Sequence, residues 1–378
     1  MAQRFTVTYR IFAADLVEAE QRAAGIALEQ TVEIPRDVVP AGYIEDVILG
    51  KVEQLREEGQ GRFVAKISYS PDAAGAEFPQ LLNVIFGNSS IQKGLKVIGL
   101  ELCDTLRNQY PGARFGIAGI RRLTGRTSQG LVCPVIKPQG SSSERLAELC
   151  YLTARAGADI IKEDHGLGNQ PNAPFEQRVT LCAQAVQRAN QERREEGDDT
   201  QALYFATLGG HSDELLKQAM FAKRAGVDGV ILMPGLIGFD AINRLARNAE
   251  FGLPIMAHPS HLGPYILSDD TGYSHAMMFG TLMQMVGADI SIFPNVGGRF
   301  GFSAEECKSI ATTCQTAEIG RAILPSPGGG MTIDRMGDMM KMYGPDCVYL
   351  LGGGLLRYGD KIGHGIREMR LALDRGAA

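Results

Sequence analysis

The sequence predicts an α/β protein: a (β/α)8 TIM barrel over residues 130–378, preceded over 1–129 by a small α+β, ferredoxin-like domain and its connector. Three observations predict it. From Leu131 onward, short apolar runs alternate eight times with amphipathic helical patterns, about 31 residues per unit, the spacing of parallel strands joined by right-handed crossovers. The phrase Ala156-Gly157-Ala158-Asp159 returns as Ala225-Gly226-Val227-Asp228 and Val286-Gly287-Ala288-Asp289, each a glycine helix stop followed by a strand start. Before residue 130 that beat is missing, and strand-like pieces lie at irregular distances with helical stretches between them.

Residues 4–11 alternate as Phe5, Val7, Tyr9 and Ile11 against polar partners, which predicts a strand. Helical spacing runs from Asp15 to about residue 27, and a short strand-like piece follows at 31–34. A second alternating run at 62–69 precedes the apolar stretches 78–86 and 95–102, and 104–129 reads as a connector. The barrel strands are expected at 132–138, 159–164, 203–208, 229–234, 254–259, 290–295, 322–330 and 348–354. Their helices are expected at 143–156, 175–195, 212–225, 238–250, 273–286, 304–316, 332–343 and 360–375. Ser141…Glu144 and Ser303…Glu306 read as capping boxes. An open doubly wound sheet is the rival, but no strand leads into a G-x-G-x-x-G helix opening; Arg357 stands where the third glycine after Gly352 belongs.

Composition excludes several classes. A chain that is 44% hydrophobic and 21% charged is not disordered, and a net charge of −5 argues against a broad nucleic-acid surface. No uncharged stretch reads as a membrane span. Seven cysteines without a C-x-x-C pair, behind an N-terminus that opens on a strand, predict reduced, buried thiols and a cytoplasmic protein. Met277, Met278, Met283, Met285, Met331, Met336, Met339, Met340 and Met342 follow helical units and read as core filling. His211, His275 and His364 fall at helical positions and read as structural.

Barrels of this kind gather their chemistry at the carboxyl ends of the strands. Strand one ends Ile136-Lys137-Pro138 and strand two Ile161-Lys162-Glu163-Asp164-His165-Gly166. Two lysines there are costly to bury without partners. Lys162 and Asp164 share a strand face, which leaves two readings: a plain salt bridge, or a lysine carbamate that holds Mg2+ together with Asp164. Lys137 is a candidate proton donor or acceptor, or a charge that neutralises phosphate. His258, ending strand five, is a candidate ligand, acid–base group or core residue. Gly328-Gly329-Gly330 and Gly352-Gly353-Gly354 end strands seven and eight, where exposed backbone N–H groups cradle phosphate in such barrels; the alternative is tight turns alone.

Ile136-Lys137-Pro138, Ile161-Lys162-x-Asp164 and Gly168-Asn169-Gln170-Pro171, followed in order by His258 and the two triple glycines, resemble the large subunit of ribulose-bisphosphate carboxylase (Rubisco). Ala27-x-Glu29-x-Thr31 and Gly87-Asn88 resemble the segments that this family contributes from a partner subunit. The resemblance implies that Lys162 is carbamylated by CO2 and binds Mg2+ with Asp164, that Lys137 moves protons on an enediolate, and that Glu29 and Asn88 complete the site across a homodimer. It also implies that His258 is the strand-five histidine and that the glycines clamp phosphate.

The departures narrow the family. His165 stands at the third metal-binding carboxylate, Pro259 at an arginine, Gln139 at a second lysine, Ile292 at a histidine, and Arg299 at the lid lysine. Without a second phosphate clamp and the carbon dioxide apparatus, carboxylation is not expected, and the chain resembles a Rubisco-like (form IV) protein. The expected activity is Mg2+-dependent enolisation and isomerisation of a phosphorylated ketose such as 5-methylthioribulose 1-phosphate, in sulfur (methionine) salvage. Decarboxylation or acyl cleavage of a 3-oxo sugar acid is the alternative. Behind it stand the enolase step on a diketo-methylthiopentyl phosphate and a non-catalytic scaffold.

Overall fold

The computed structural model describes residues 3–59, 61–211 and 213–376. Strands β1 (Phe5–Phe12), β2 (Lys51–Gly59), β3 (Arg62–Tyr69) and β4 (Leu95–Glu101) form an antiparallel sheet in the order β4-β1-β3-β2. Helices Leu16–Glu29 and Phe78–Phe86 are interleaved with them, which is the ferredoxin-like succession. The alternation in β1 is literal: Phe5, Val7, Tyr9 and Ile11 are buried, and their neighbours are half-buried. Strand β2 is not anticipated by its sequence. It is an edge strand with three Glu, one Lys and one Arg, and Leu55 is its only half-buried apolar side chain.

Two expectations are corrected here. Residues 31–34 form no strand: the N–H groups of Thr31, Val32 and Glu33 all fold back onto the Leu28 carbonyl as the first helix unwinds. The connector is not featureless either, since Asp104–Gln109 and Gly116–Thr124 are helical.

Eight parallel strands close the barrel: β5 (Leu131–Ile136), β6 (Ile160–Glu163), β7 (Leu203–Thr207), β8 (Gly229–Leu232), β9 (Ile255–Ala257), β11 (Ile290–Pro294), β12 (Leu324–Gly328) and β13 (Val348–Leu351). Cys133, Val135, Ile160, Phe205, Ile231, Met256, Ile292 and Leu350 are among the side chains packed inside it. Gly229 is required there, because a Cβ would lie 2.4 Å from the Phe205 ring. Between β9 and β11, strand β10 (Gly272–Tyr273) leaves the barrel and pairs in parallel with β4, tying the two sheets together.

The recurring phrase has a physical cause. Gly157, Gly226 and Gly287 all adopt φ near +90° (92°, 90° and 91°), ending their helices in the left-handed region. The aspartates that follow each accept an N–H from the first two residues of the preceding barrel strand: Asp159 from Val132 at 2.7 Å, Asp228 from Tyr204 at 2.9 Å, and Asp289 from Ile255 at 3.0 Å. The second capping box is present at Ser303 and Glu306, whereas the first is not formed: Ser142, not Ser141, caps the helix by accepting from Arg145 N, and an arginine at that position has no acceptor with which to complete a box. The helix expected from 212 begins at Leu215, which leaves His211 in a loop; His275 and His364 are helical. The seven cysteines are free and buried; eight of the nine predicted core methionines are buried and Met342 is partly so. Among the described residues no helix is long and apolar enough to cross a membrane.

Candidate active site

The site is built on the end of β6, where alternation sends successive side chains to opposite sides of the barrel wall. Lys162 is 2% exposed, and its Nζ donates to the carbonyl oxygen of Glu163 at 2.7 Å. Burial outweighs the neighbouring carboxylates and lowers its pKa to about 8. Glu163, pointing the other way, is fully buried. It accepts from Arg178 Nε (2.7 Å), the Tyr204 hydroxyl (2.6 Å) and the Thr207 N–H (2.8 Å). Arg178 in turn donates to the carbonyls of Gly168 and Ala173, so a single buried ion pair fixes both the end of β6 and the following loop.

Asp164, past the end of β6, corrects the simpler of the two readings of this strand. Its Oδ2 lies 2.6 Å from Lys137 Nζ, so the salt bridge runs between strands rather than to Lys162. Register explains it: Ile136 stands opposite Glu163, which brings the next residue on each strand together. The carboxyl is half-buried, which raises its pKa, but the hydrogen bonds from Lys137 and the Gly166 N–H outweigh this and hold it below the usual range. Its Oδ1 is 3.3 Å from His165 Nδ1. The His165 ring stacks on His258, with centroids 4.1 Å apart and planes 16° apart. Burial and the positive charges of Lys162 and Lys137 lower both imidazole pKa values, His258 far more than His165. Lys137, Lys162, Asp164, His165 and His258 therefore form one cluster at the mouth of the barrel.

The triple glycines separate into two kinds. Gly329 (φ +94°) and Gly330 (φ +62°) need their left-handed backbone, and a Cβ on Gly330 would meet Arg335 Nη1 at 2.9 Å. Turn geometry requires glycine at these two positions whether or not a phosphate binds there. A Cβ on Gly352, Gly353 or Gly354 would meet nothing within 4 Å, so local packing does not require glycine there and the backbone stands open to a ligand. Gly354 borders a cavity of about 420 Å³ whose lining includes Met331, Thr332, Leu355 and Arg357. Gly328, ending β12, is crowded neither way. Arg335 donates to the carbonyls of Gly330 (2.6 Å) and Val296 (3.0 Å), joining the loops after β12 and β11. Arg299, on the latter loop, lies over the Phe300 ring at 5.0 Å, and its charge helps to lower the His165 pKa.

Glu29 and Asn88 come together, but not at this mouth. Asn88 Nδ2 donates to Glu29 Oε1 and Glu33 Oε1, both at 3.0 Å, in an exposed group just past the ends of helices Leu16–Glu29 and Phe78–Phe86. Neither makes a hydrogen bond or ion pair with the barrel cluster among the described residues. Glu33 is one of two non-glycine residues there with positive φ, at 53°. Sequence reasoning missed it, together with the roles of Glu163, Arg178 and Arg335, because nothing in their local pattern distinguishes them from ordinary core or surface residues; Thr207 was expected only as the end of the third barrel strand.

Comparison with known proteins bears on this geometry. Residues 116–377 match the family described as "Ribulose bisphosphate carboxylase large chain, catalytic domain". The 5-methylthioribulose-1-phosphate isomerase of Rhodospirillum rubrum is 37% identical, over 96% of this chain and 94% of that protein. A 2,3-diketo-5-methylthiopentyl-1-phosphate enolase of Bacillus licheniformis is 28% identical, over 94% of this chain and 88% of its own length. The crystal structure of a Rubisco-like protein from Rhodopseudomonas palustris superposes with a TM-score of 0.86 at 31% identity, covering 99% of this chain and 98% of that one.

Proposed function

The chain belongs to the ribulose bisphosphate carboxylase large-chain family as a Rubisco-like protein, and on that premise we propose that it enolises and isomerises a phosphorylated ketose of the 5-methylthioribulose 1-phosphate type, with a divalent cation. One observation carries the reading. A buried lysine with a depressed pKa, a carboxylate paired to a second lysine, and two stacked imidazoles stand together at the carboxyl ends of β5, β6 and β9.

The residues fit Mg2+ through a modified lysine. Among the described residues no three His, Cys, Asp or Glu side chains converge as a metal site, so Asp164 and His165 need a further donor. With a pKa near 8, Lys162 is neutral in roughly one molecule in ten at pH 7. The neutral amine forms a bond to the carbon of CO2 and releases one proton, leaving a carbamate whose oxygens suit a hard cation. The carbamate of Lys162, Asp164 and His165 would hold the ion. Bound there, Mg2+ would supply Lewis acidity to a ketone and its adjacent hydroxyl.

The chain's own groups supply the rest. Lys137 Nζ, on the rim beside Asp164, would first give up its ammonium proton and then, as the neutral amine, take the α-proton and return it to the neighbouring carbon. Backbone N–H groups of Gly352, Gly353 and Gly354 receive the phosphate, with Arg357 and Arg299 adding charge nearby. Pro259, Gln139 and Ile292 put no cation at the far end, which suits a substrate whose other terminus is neutral. Glu29 and Asn88 reach the mouth of a second copy in a homodimer.

Incubation with 5-methylthioribulose 1-phosphate, Mg2+ and bicarbonate in heavy water tests this. Deuterium uptake into an isomeric phosphate ester is the expected result. Turnover only of the 2,3-diketo phosphate would replace it with the enolase reading, which the Bacillus licheniformis relative supports. Release of CO2 from a 3-oxo acid phosphate would replace both.

A further inference from the structure

The barrel mouth holds His258 by an arrangement that the chemistry above does not use. Residues 259–262 make a turn closed by the Leu262 N–H to the Pro259 carbonyl at 3.1 Å. His261 within it has φ +66°, the second of the two non-glycine positive φ values among the described residues. The turn sits directly on Gly235, where a Cβ would lie 2.6 Å from the Ser260 carbonyl oxygen and 3.0 Å from that of His261. Strain and close packing therefore fix one small residue, Ser260, against the His258 ring.

Two groups of Ser260 meet the same ring nitrogen. Its backbone N–H points to His258 Nδ1 at 3.3 Å, and its Oγ lies 2.9 Å from that atom. An N–H can only donate, so Nδ1 must offer its lone pair, and the hydroxyl then donates to it as well. With Nδ1 unprotonated, the proton of the neutral ring sits on Nε2.

We propose that Ser260 is a positioning residue which fixes His258 in the Nε2–H tautomer, so that His258 meets the substrate as a hydrogen-bond donor at an oxygen rather than as an acceptor. The His258 ring is also braced from one face by His165, which helps to hold the orientation that keeps Nδ1 against Ser260. The inference rests on the proposed reaction only for what the donor serves. The tautomer itself is independent of any substrate.

Nitrogen NMR of the protein labelled with 15N-histidine tests it, since the chain has six histidines and His258→Asn assigns the signal by its loss. The expected spectrum has a pyrrole-type Nε2 and a pyridine-type Nδ1 for His258. Ser260→Ala keeps the backbone N–H and loses the hydroxyl, the closer of the two donors, so the two signals move part of the way toward an averaged position, and Ser260→Thr restores them. A wild-type His258 with its proton on Nδ1 overturns the proposal, as does a Ser260→Ala spectrum identical to wild type. With an active substrate in hand, Ser260→Ala should lower kcat roughly 10- to 100-fold with KM little changed, and Ser260→Thr should recover most of it. Failure of the isomerase assay alone leaves the NMR outcome standing, so the two readings fail separately.

Discussion

The two ends of the barrel both carry charged or titratable side chains at the edge of the core, and they treat them in opposite ways. At the amino end, Asp159 accepts from Val132 N, Arg126 and Arg370, and Asp289 accepts from Phe115, Gly116 and Ile255 N–H groups. Each of these two carboxylates accepts three hydrogen bonds from within the fold. At the carboxyl end Lys162 has one hydrogen bond to a carbonyl, and Asp164 is shared between a lysine and a histidine. A fully bonded charge holds its neighbours in place, whereas a charge with spare valences has free energy to gain from a ligand. The contrast separates the end that makes the fold stable from the end left to do chemistry.

Substitution at the two ends sharpens this. The largest effect is expected for Lys162→Met: bicarbonate- and Mg2+-dependent turnover is lost altogether, while the melting temperature holds or rises because a poorly satisfied buried amine has gone. Retained turnover in that variant removes the carbamate assignment, and a collapsed melting temperature removes the contrast between the ends. The reverse pattern belongs to Asp159→Ala. It strands Arg370 and Arg126 beside the core and should cost roughly 3–5 kcal/mol in urea unfolding, with activity per folded molecule unchanged.

The same contrast explains what was legible in the sequence. The amino-end aspartates announced themselves as a repeated phrase because each unit must end a helix and start a strand in the same few residues. Lys162 and Asp164 were legible because alternation puts them on one face. That Asp164 would choose Lys137 was not, since the choice is made by the β5–β6 register, which no local pattern encodes. Glu163 was invisible for the same reason: its partners Arg178, Tyr204 and Thr207 lie 15, 41 and 44 residues further along. Strand β2 escaped because an exposed edge strand needs no apolar alternation, and Ser260 because one hydroxyl matters only where a strained turn delivers it.

The smallest predicted effect is at the amino end, where Asp228 is the least satisfied of the three repeated aspartates. It accepts a single hydrogen bond, from the Tyr204 N–H, and burial pushes its pKa up to about 6. A raised carboxyl pKa means that the folded protein binds the proton more tightly than the unfolded chain. The stabilisation is complete below the ordinary carboxylate range near 4 and is lost as pH climbs to about 6. Asp228→Asn keeps an oxygen for Tyr204 and cannot ionise. Because the residue is only half-buried, the gain over wild type above pH 6 should be on the order of 1–2 kcal/mol, shrinking to nothing by about pH 4. Urea titrations of both proteins across that interval measure the difference. A gap that does not change with pH would mean that burial does not disfavour the ionised Asp228 carboxyl in the folded protein.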